Sequence, residues 1–301
     1  MYLHNDNELF KEVVYSTAVA FQQPVPIIEK DYYVTMLLKE LHSKAPDCVF
    51  KGGTSLSKCF NVIDRFSEDV DITFNKILNQ SQRKNLKNKT IAEISKSLNM
   101  PIVNWNDTRS RRDYNCYLFK YNPLIGRIPH NLAEGVKLEI VLGSVPFPTI
   151  RKNVDSYIYK FLSIGNQDIV NEFELEPFTM TVQSLERTLI DKVFALCDYY
   201  LQDKIHRHSR HIYDIHMLLP HITINEEFKN LILEVRNQRA SMKICPSAYE
   251  GIIINQLLKD IITKEIYKDD YTTITTYFQN KPVAYNEAVR TLEKIIDSKL
   301  F

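Results

Sequence analysis

Two groups of residues within positions 49–74 carry the types and spacing needed to act on phosphate. The run Lys51-Gly52-Gly53-Thr54-Ser55 joins two of only seven glycines in the 301-residue chain to a pair of hydroxyls. Glycine lets backbone approach a ligand closely, and a turn feeding a helix start offers N–H groups and the positive end of a helix dipole to an anion. Downstream, Asp69 and Asp71 stand at i and i+2 in an otherwise apolar stretch. On a strand they share a face, roughly 6–7 Å apart at about 3.3 Å rise per residue. Both could then reach divalent ions about 3.5–4 Å apart. A phosphate cradle beside metal-binding carboxylates is the equipment of metal-assisted nucleotidyl transfer. Each half alone is weak, since ordinary strand–helix turns carry GG-T/S and solvent-facing edge strands carry Asp-x-Asp. Two like charges side by side do, however, call for a cation between them.

Further candidates lie at a distance. Glu139 sits in VKLEIVL (136–142), whose alternation sets Lys137 and Glu139 opposite Val136, Leu138 and Ile140. A carboxylate there could deprotonate an acceptor hydroxyl or share a metal, or it could serve a cross-strand ion pair. Lys192 lies beside the apolar stripe of its helix, and Asp214 is flanked by apolar neighbours in RHIYDIHMLL. A buried Lys–Asp pair clamping two helices is one account of them; a lysine that reaches substrate phosphates is the other. His206, His208, His211 and His216 fall among Lys204, Arg207 and Arg210, which reads as a solvated loop or an RNA-phosphate patch more than a metal site. The basic stretches around Arg109, Arg111 and Arg112 and over 236–243 suit phosphate contacts of the positioning kind. Tyr114, Tyr117 and Tyr121 could stack on a base or fill a core. Asp31, beside two tyrosines, reads as solvated or capping.

The elements that must hold these groups follow from periodicity. Apolar Phe10, Val13, Val14, Ala18 and Phe21 predict a helix over 6–21 with Asp6 as its cap, ended by Pro24 and Pro26. A second helix runs to about 41. A strand over 48–51 precedes a helix that Thr54 can cap, and 69–74 alternates as a strand. Residues 75–100 read as a loop and an exposed helix, 101–105 and 114–121 as further strands, and 143–178 as irregular. From 181 the pattern is helical, with helices at 211–219, 225–237, 247–268 and 283–299, and 271–278 undecided. The fold class is α+β: a nucleotidyltransferase-type domain over 1–165 with two leading helices, a mixed sheet and flanking helices, then a C-terminal helical bundle over 166–301 that completes the site.

Formal net charge is +1, so any polyanion must be met by a local patch. Five scattered cysteines without a CxxC pair argue for free thiols in a reducing compartment. The first residues lack a signal-peptide core, and no apolar run approaches the ~18 residues of a membrane span. A cytoplasmic location without membrane contact is the expectation.

The glycine pair with Ser/Thr, followed by Asp-x-Asp on the next strand, resembles the signature of the polymerase-β-like nucleotidyltransferases. The segments IEKDYYVTMLL, FKGGTSLSKCF with RFSEDVDI, ERTLIDKVFAL and RHIYDIHML extend this. They are similar to the AbiEii family of nucleotidyltransferase toxins, found in type IV toxin–antitoxin and abortive-infection systems. The resemblance covers most of 25–220, its blocks fall in the family's order, and it weakens beyond. It implies that Gly53 and Ser55, within the nucleotide-binding set Gly52, Gly53, Thr54, Ser55 and Arg65, hold an NTP. It implies that Asp69 and Asp71 bind magnesium, that Lys192 contacts the triphosphate, and that Asp214 completes the pocket. Either Glu139 or Asp214 would be the base. The implied activity is Mg²⁺-dependent, pyrophosphate-releasing transfer from an NTP, with a tRNA 3′ end the leading acceptor, translation and growth its casualties, and a winged-helix antitoxin encoded nearby as partner. A protein-modifying transferase and a non-catalytic nucleotide- or RNA-binding module are the alternatives.

Overall fold

The structure, a computed structural model, describes residues 1–125 and 132–301. Two compact units divide it: the first takes 1–60, 67–145 and 149–182, the second 61–66, 146–148 and 183–301.

The first unit is built on a mixed sheet. Helix α1 (Asn7–Phe21) starts at Asp6, whose carboxylate accepts from the Leu9 amide at 3.1 Å, as the capping pattern predicts. Helix α2 (Val25–Lys44) carries a proline in its first turn, where the missing N–H costs nothing. It is buried over most of its circumference, including Glu29, Lys30 and Asp31. Such a helix is central, more than the one-sided packing element its sequence predicts.

Among the described residues the six strands are β1 (Cys48–Lys51), β2 (Val70–Phe74), β3 (Tyr114–Phe119), β4 (Val136–Val141), β5 (Thr149–Val154) and β6 (Phe178–Gln183), ordered β3-β4-β2-β1-β6-β5. Strand β1 is antiparallel to β2 and parallel to β6, β2 is parallel to β4, and β3 is antiparallel to β4. Val70, Ile72, Leu138 and Ile140 enter the core from one face of β2 and β4.

Helix α3 (Gly52–Ser55) follows β1 at once and continues as a π-helical turn, Leu56–Phe60. The polar stretch after β2 folds as α4 (Gln80–Asn85), a π turn (Leu86–Ile91) and α5 (Ala92–Ser97), burying Leu86, Ile91 and Ile94. Residues 101–105 do not form a strand. Only Ile102 bridges to Phe119, because the Asn104 side chain takes the next positions itself, accepting from Leu118 N at 2.8 Å and donating to Cys116 O at 2.9 Å. The supposedly irregular 143–178 contains β5, α6 (Tyr157–Leu162) and α7 (Gln167–Glu172), each too short for its period to register.

The second unit is helical: α8 (Leu185–Leu201), α9 (Arg210–Leu218), α10 (Glu226–Ala240), α11 (Ile254–Thr263), α12 (Lys268–Asp270) and α13 (Tyr285–Asp297). Helix α8 begins only after Ser184, whose hydroxyl accepts from Arg187 N; the β-branched residues before it belong to β6 instead. The helix expected over 247–268 starts late because Gly251 adopts φ 80° just ahead of it. Residues 271–278, undecided in sequence, are helical turns. Among the described residues no helix is long and apolar enough to cross a membrane. All five cysteines are free thiols.

Candidate active site

Strand register assembles a row of side chains across one face of the first unit's sheet. Lys51 on β1 pairs with Asp71 on β2, Asp71 with Glu139 on β4, and Glu139 with Cys116 on β3. Directly paired residues project to the same face of a sheet, about 4.7–4.9 Å apart along the row. The four side chains form one row, each partly exposed, while Val70 and Ile72 on either side of Asp71 face the core. Glu139 and Asp71, 68 positions apart in the chain, are thus neighbours. Tyr114, at the head of β3, lies against them. Burial first, then the charges of Glu139 and Asp71 and a hydrogen bond to Glu139, hold its phenol above its ordinary value.

The glycine turn meets this row directly. Gly52 has φ +77°, and a Cβ placed on it would fall 2.1 Å from Asp71 Oδ2 and 2.7 Å from its Cγ. Position 52 therefore needs glycine twice, for its left-handed backbone and for the carboxylate lying over it. Thr54 and Ser55 are buried one turn on. The Thr54 hydroxyl lies 2.5 Å from the Asp69 carbonyl and 2.9 Å from Ser67 Oγ, while Ser55 Oγ donates to Gly52 O at 2.8 Å. The Thr54 hydroxyl ties the turn to the Asp69 segment, and that of Ser55 closes the turn on itself; the cap position expected of Thr54 is taken by Lys51. Asp69 is buried immediately before β2.

Helix α2 braces the segments that follow Ser55 and precede Asp69, through side chains that periodicity does not single out. Lys30 donates to Glu68, next to Asp69, and to Ala133 O at 2.6 Å. Asp31 is neither solvated nor a simple cap: it is buried, pairs with Lys58 at 2.6 Å and accepts from Tyr157 N at 2.9 Å. Lys58, on the π turn after Ser55, also donates to Thr35 Oγ1 and Asp155 O. The one signal for this in the sequence is a charged triplet, Glu29-Lys30-Asp31, inside a helix otherwise fit for burial.

The second unit holds a cluster of its own. Asp214 on α9 is fully buried and accepts from Arg65 at 2.7 and 2.8 Å, in the bidentate geometry of a strong pair, and from Lys192 of α8 at 2.6 Å. Burial pushes the Asp214 carboxyl up, but the Arg65 and Lys192 charges overcome it and hold the group well below the usual carboxylate range. Burial pulls the Lys192 ammonium down, and Asp214 opposes that. These three groups together carry two cations against one carboxylate.

Other candidates separate cleanly. His208 stacks on Tyr199 with ring centroids 3.5 Å apart, and His211 lies 5.5 Å from the same ring. Burial, then Arg210, pushes His208 down to about 4, and burial with Lys192 carries His211 well below 6.5. Both imidazoles are neutral near pH 7, which removes them from any phosphate patch; His216 bonds Thr291 at 2.9 Å. Within 236–243, Arg239 is gripped by Asp191 at 3.1 Å and Asp198 at 2.6 Å, a structural role. Tyr117 and Tyr121 are core residues, whereas Tyr114 is 41% exposed at the acidic row.

Among the described residues no three His, Cys, Asp or Glu groups are gathered as a metal cage. Magnesium does not require one, since it is commonly held by one or two carboxylates with substrate phosphates and water. Asp69 and Asp71 supply hard oxygen donors, and Asp71 does so in close contact with the glycine turn; the donor set fits Mg²⁺.

A model of the family described as "Nucleotidyl transferase AbiEii toxin, Type IV TA system" matches residues 37–291. No curated protein matches the chain.

Proposed function

The chain belongs to the AbiEii nucleotidyl transferase toxin family, and from that premise we propose that it transfers a nucleotide from an NTP to an acceptor hydroxyl, the tRNA 3′ end being the leading acceptor. The observation that carries this reading is the Asp71 carboxylate lying over the Cα of Gly52. The glycine turn that opens α3 and a carboxylate able to bind metal thus meet at one point, backbone against side chain.

In this reading the backbone amides at the start of α3 receive the phosphates. Asp69 and Asp71 would hold Mg²⁺, which would supply charge to offset that of the phosphates. Glu139, oriented by Tyr114, takes the proton of the acceptor hydroxyl. The new O–P bond forms as the α–β anhydride bond breaks, and pyrophosphate leaves with that electron pair. Asp214 suits the base role poorly: its carboxylate is stabilised as the anion by Arg65 and Lys192 and has little appetite for a proton. Lys192 is the second unit's own candidate for contact with an anion, beside its pairing with Asp214. An antitoxin partner goes with the family's type IV system.

Purified protein incubated with tRNA and each of four labelled NTPs, in magnesium and in EDTA, tests the reading. Label enters RNA only with magnesium, and Asp71→Ala folds normally while losing at least about 10³-fold in rate, the scale of lost metal-centred charge stabilisation. Label on protein instead, or an Asp71→Ala chain that still arrests growth, overturns it.

A further inference from the structure

The catalytic row poses a problem for a nucleic-acid acceptor. Asp69, Asp71 and Glu139 repel phosphates, and the chain as a whole is nearly neutral. Its charge is unevenly spread, however. Residues 76–113 hold nine lysines and arginines against three acidic residues, a net +6 that leaves −5 for the rest.

Part of this charge lies on the turn that leads into the acidic row and on the helix packed against that turn. Lys84, Arg109, Arg111 and Arg112 are exposed. The turn bearing the three arginines is fixed in shape. Asn115 bonds both the amide of Arg109 at 2.8 Å and its carbonyl at 3.0 Å, Arg112 donates to Asp107 O at 2.9 Å, and Leu142 N donates to Asp113 O at 2.7 Å. Helix α4 packs on this turn through Gln80 to Ser110 at 3.2 Å and Arg83 to Asp113 at 2.8 Å. Lys84, one helical turn beyond Gln80, lies on the same side. The turn then runs straight into Tyr114, which touches Glu139. Arg111 is three residues from Tyr114, at most about 10 Å of chain.

We propose that Lys84, Arg109, Arg111 and Arg112 form the surface that grips the phosphate backbone of an RNA acceptor and brings its end to the row of Asp71 and Glu139. This rests on the nucleotidyl-transfer reading and names how its acceptor is held. The exposed ring of Tyr114, between the basic turn and the carboxylates, offers a face on which a terminal base can stack. A protein or small-molecule acceptor would carry no backbone charge for this surface to offset.

Fluorescein-labelled unstructured RNA and bulk tRNA are the probes, titrated without NTP across a range of salt. The unsubstituted chain binds with a steep fall of affinity against salt. Lys84→Glu with Arg111→Glu weakens binding roughly 10-fold and lowers the log–log salt slope by about 2. Both heads are exposed, and Lys84→Gln with Arg111→Gln, a gentler change, moves affinity and slope the same way by less. Unchanged affinity and slope in both pairs, with RNA still labelled by the unsubstituted chain, removes the surface and leaves the transferase reading standing. No RNA binding at all, with label entering protein, removes both.

Discussion

Asp214 in the second unit and Asp71 in the first are both aspartates set among apolar neighbours, yet their surroundings are opposite. Asp214 is fully buried, with both oxygens accepting from Arg65 and Lys192, so its charge is neutralised before any ligand arrives. Asp71 is partly exposed, stands between Lys51 of β1 and Glu139 of β4, and lies over a glycine. A pinned anion holds structure together, whereas carboxylates ranged side by side at a surface favour an incoming cation. Sequence type alone does not distinguish these; neighbours and exposure do.

The contrast breaks most visibly at Asp214. Asp214→Asn leaves Arg65 and Lys192 facing each other in the interior, and a broken buried pair costs about 3–5 kcal/mol. That is a large share of the roughly 5–15 kcal/mol typical of folded proteins. Denaturant unfolding checks it through a lower midpoint, and a midpoint matching the unsubstituted chain would mean the cluster is not the anchor described. Because the folded Asp214 carboxyl is held low, its stabilisation is complete above the ordinary carboxylate range. It is lost only as pH falls through the lowered value.

Much of the first unit was legible because its signals are local. The Asp6 cap, the strand over 48–51, the alternation of β2 and β4, and the Gly52-to-Asp71 unit need only a few residues each. What escaped was long-range or compensated. Asn104 mimics a strand with its side chain, α7 has too few residues to show a period, and the Lys51–Asp71–Glu139–Cys116 row exists only through pairing among four strands. Lys30, Asp31 and Lys58 escaped because charge in a helix reads as a solvated face until partners from distant segments bury it. In the second unit the helices were visible and Lys192 with Asp214 could be suspected. Arg65, more than a hundred residues away in the chain, could not be assigned to them.

Gly52 sharpens the first side of the contrast. In Gly52→Ala the left-handed backbone costs about 1–2 kcal/mol. The methyl must also displace the Asp71 carboxylate from 2.1 Å. Misplacing one catalytic group by about 1 Å can cost on the order of 10²-fold in rate. Nucleotide incorporation therefore falls by more than the modest stability loss explains, and Asp71 is the group responsible. Equal losses in Asp71→Ala and in Gly52→Ala combined with Asp71→Ala support this; full activity in Gly52→Ala would separate the turn from the carboxylate.

The smallest effect belongs to Glu29, a buried carboxyl of the first unit with neither a cation like those of Asp214 nor a place in the acidic row. It accepts from Leu124 N at 2.9 Å, and burial, only partly offset by that bond, pushes it up to about 7 from 4.5. The folded chain thus keeps a proton that the unfolded chain releases. Stability from this group is greatest below pH 4.5, declines as pH rises towards 7, and levels off above. Each pH unit between the folded and unfolded values corresponds to at most about 1.36 kcal/mol. Glu29→Gln keeps an oxygen for Leu124 N and abolishes the ionisation. Its unfolding midpoint should lose this slope between pH 4.5 and 7 and exceed that of the unsubstituted chain at about pH 8, above both values. An unchanged pH profile would mean that Glu29 is already stabilised as an anion, as Asp214 is.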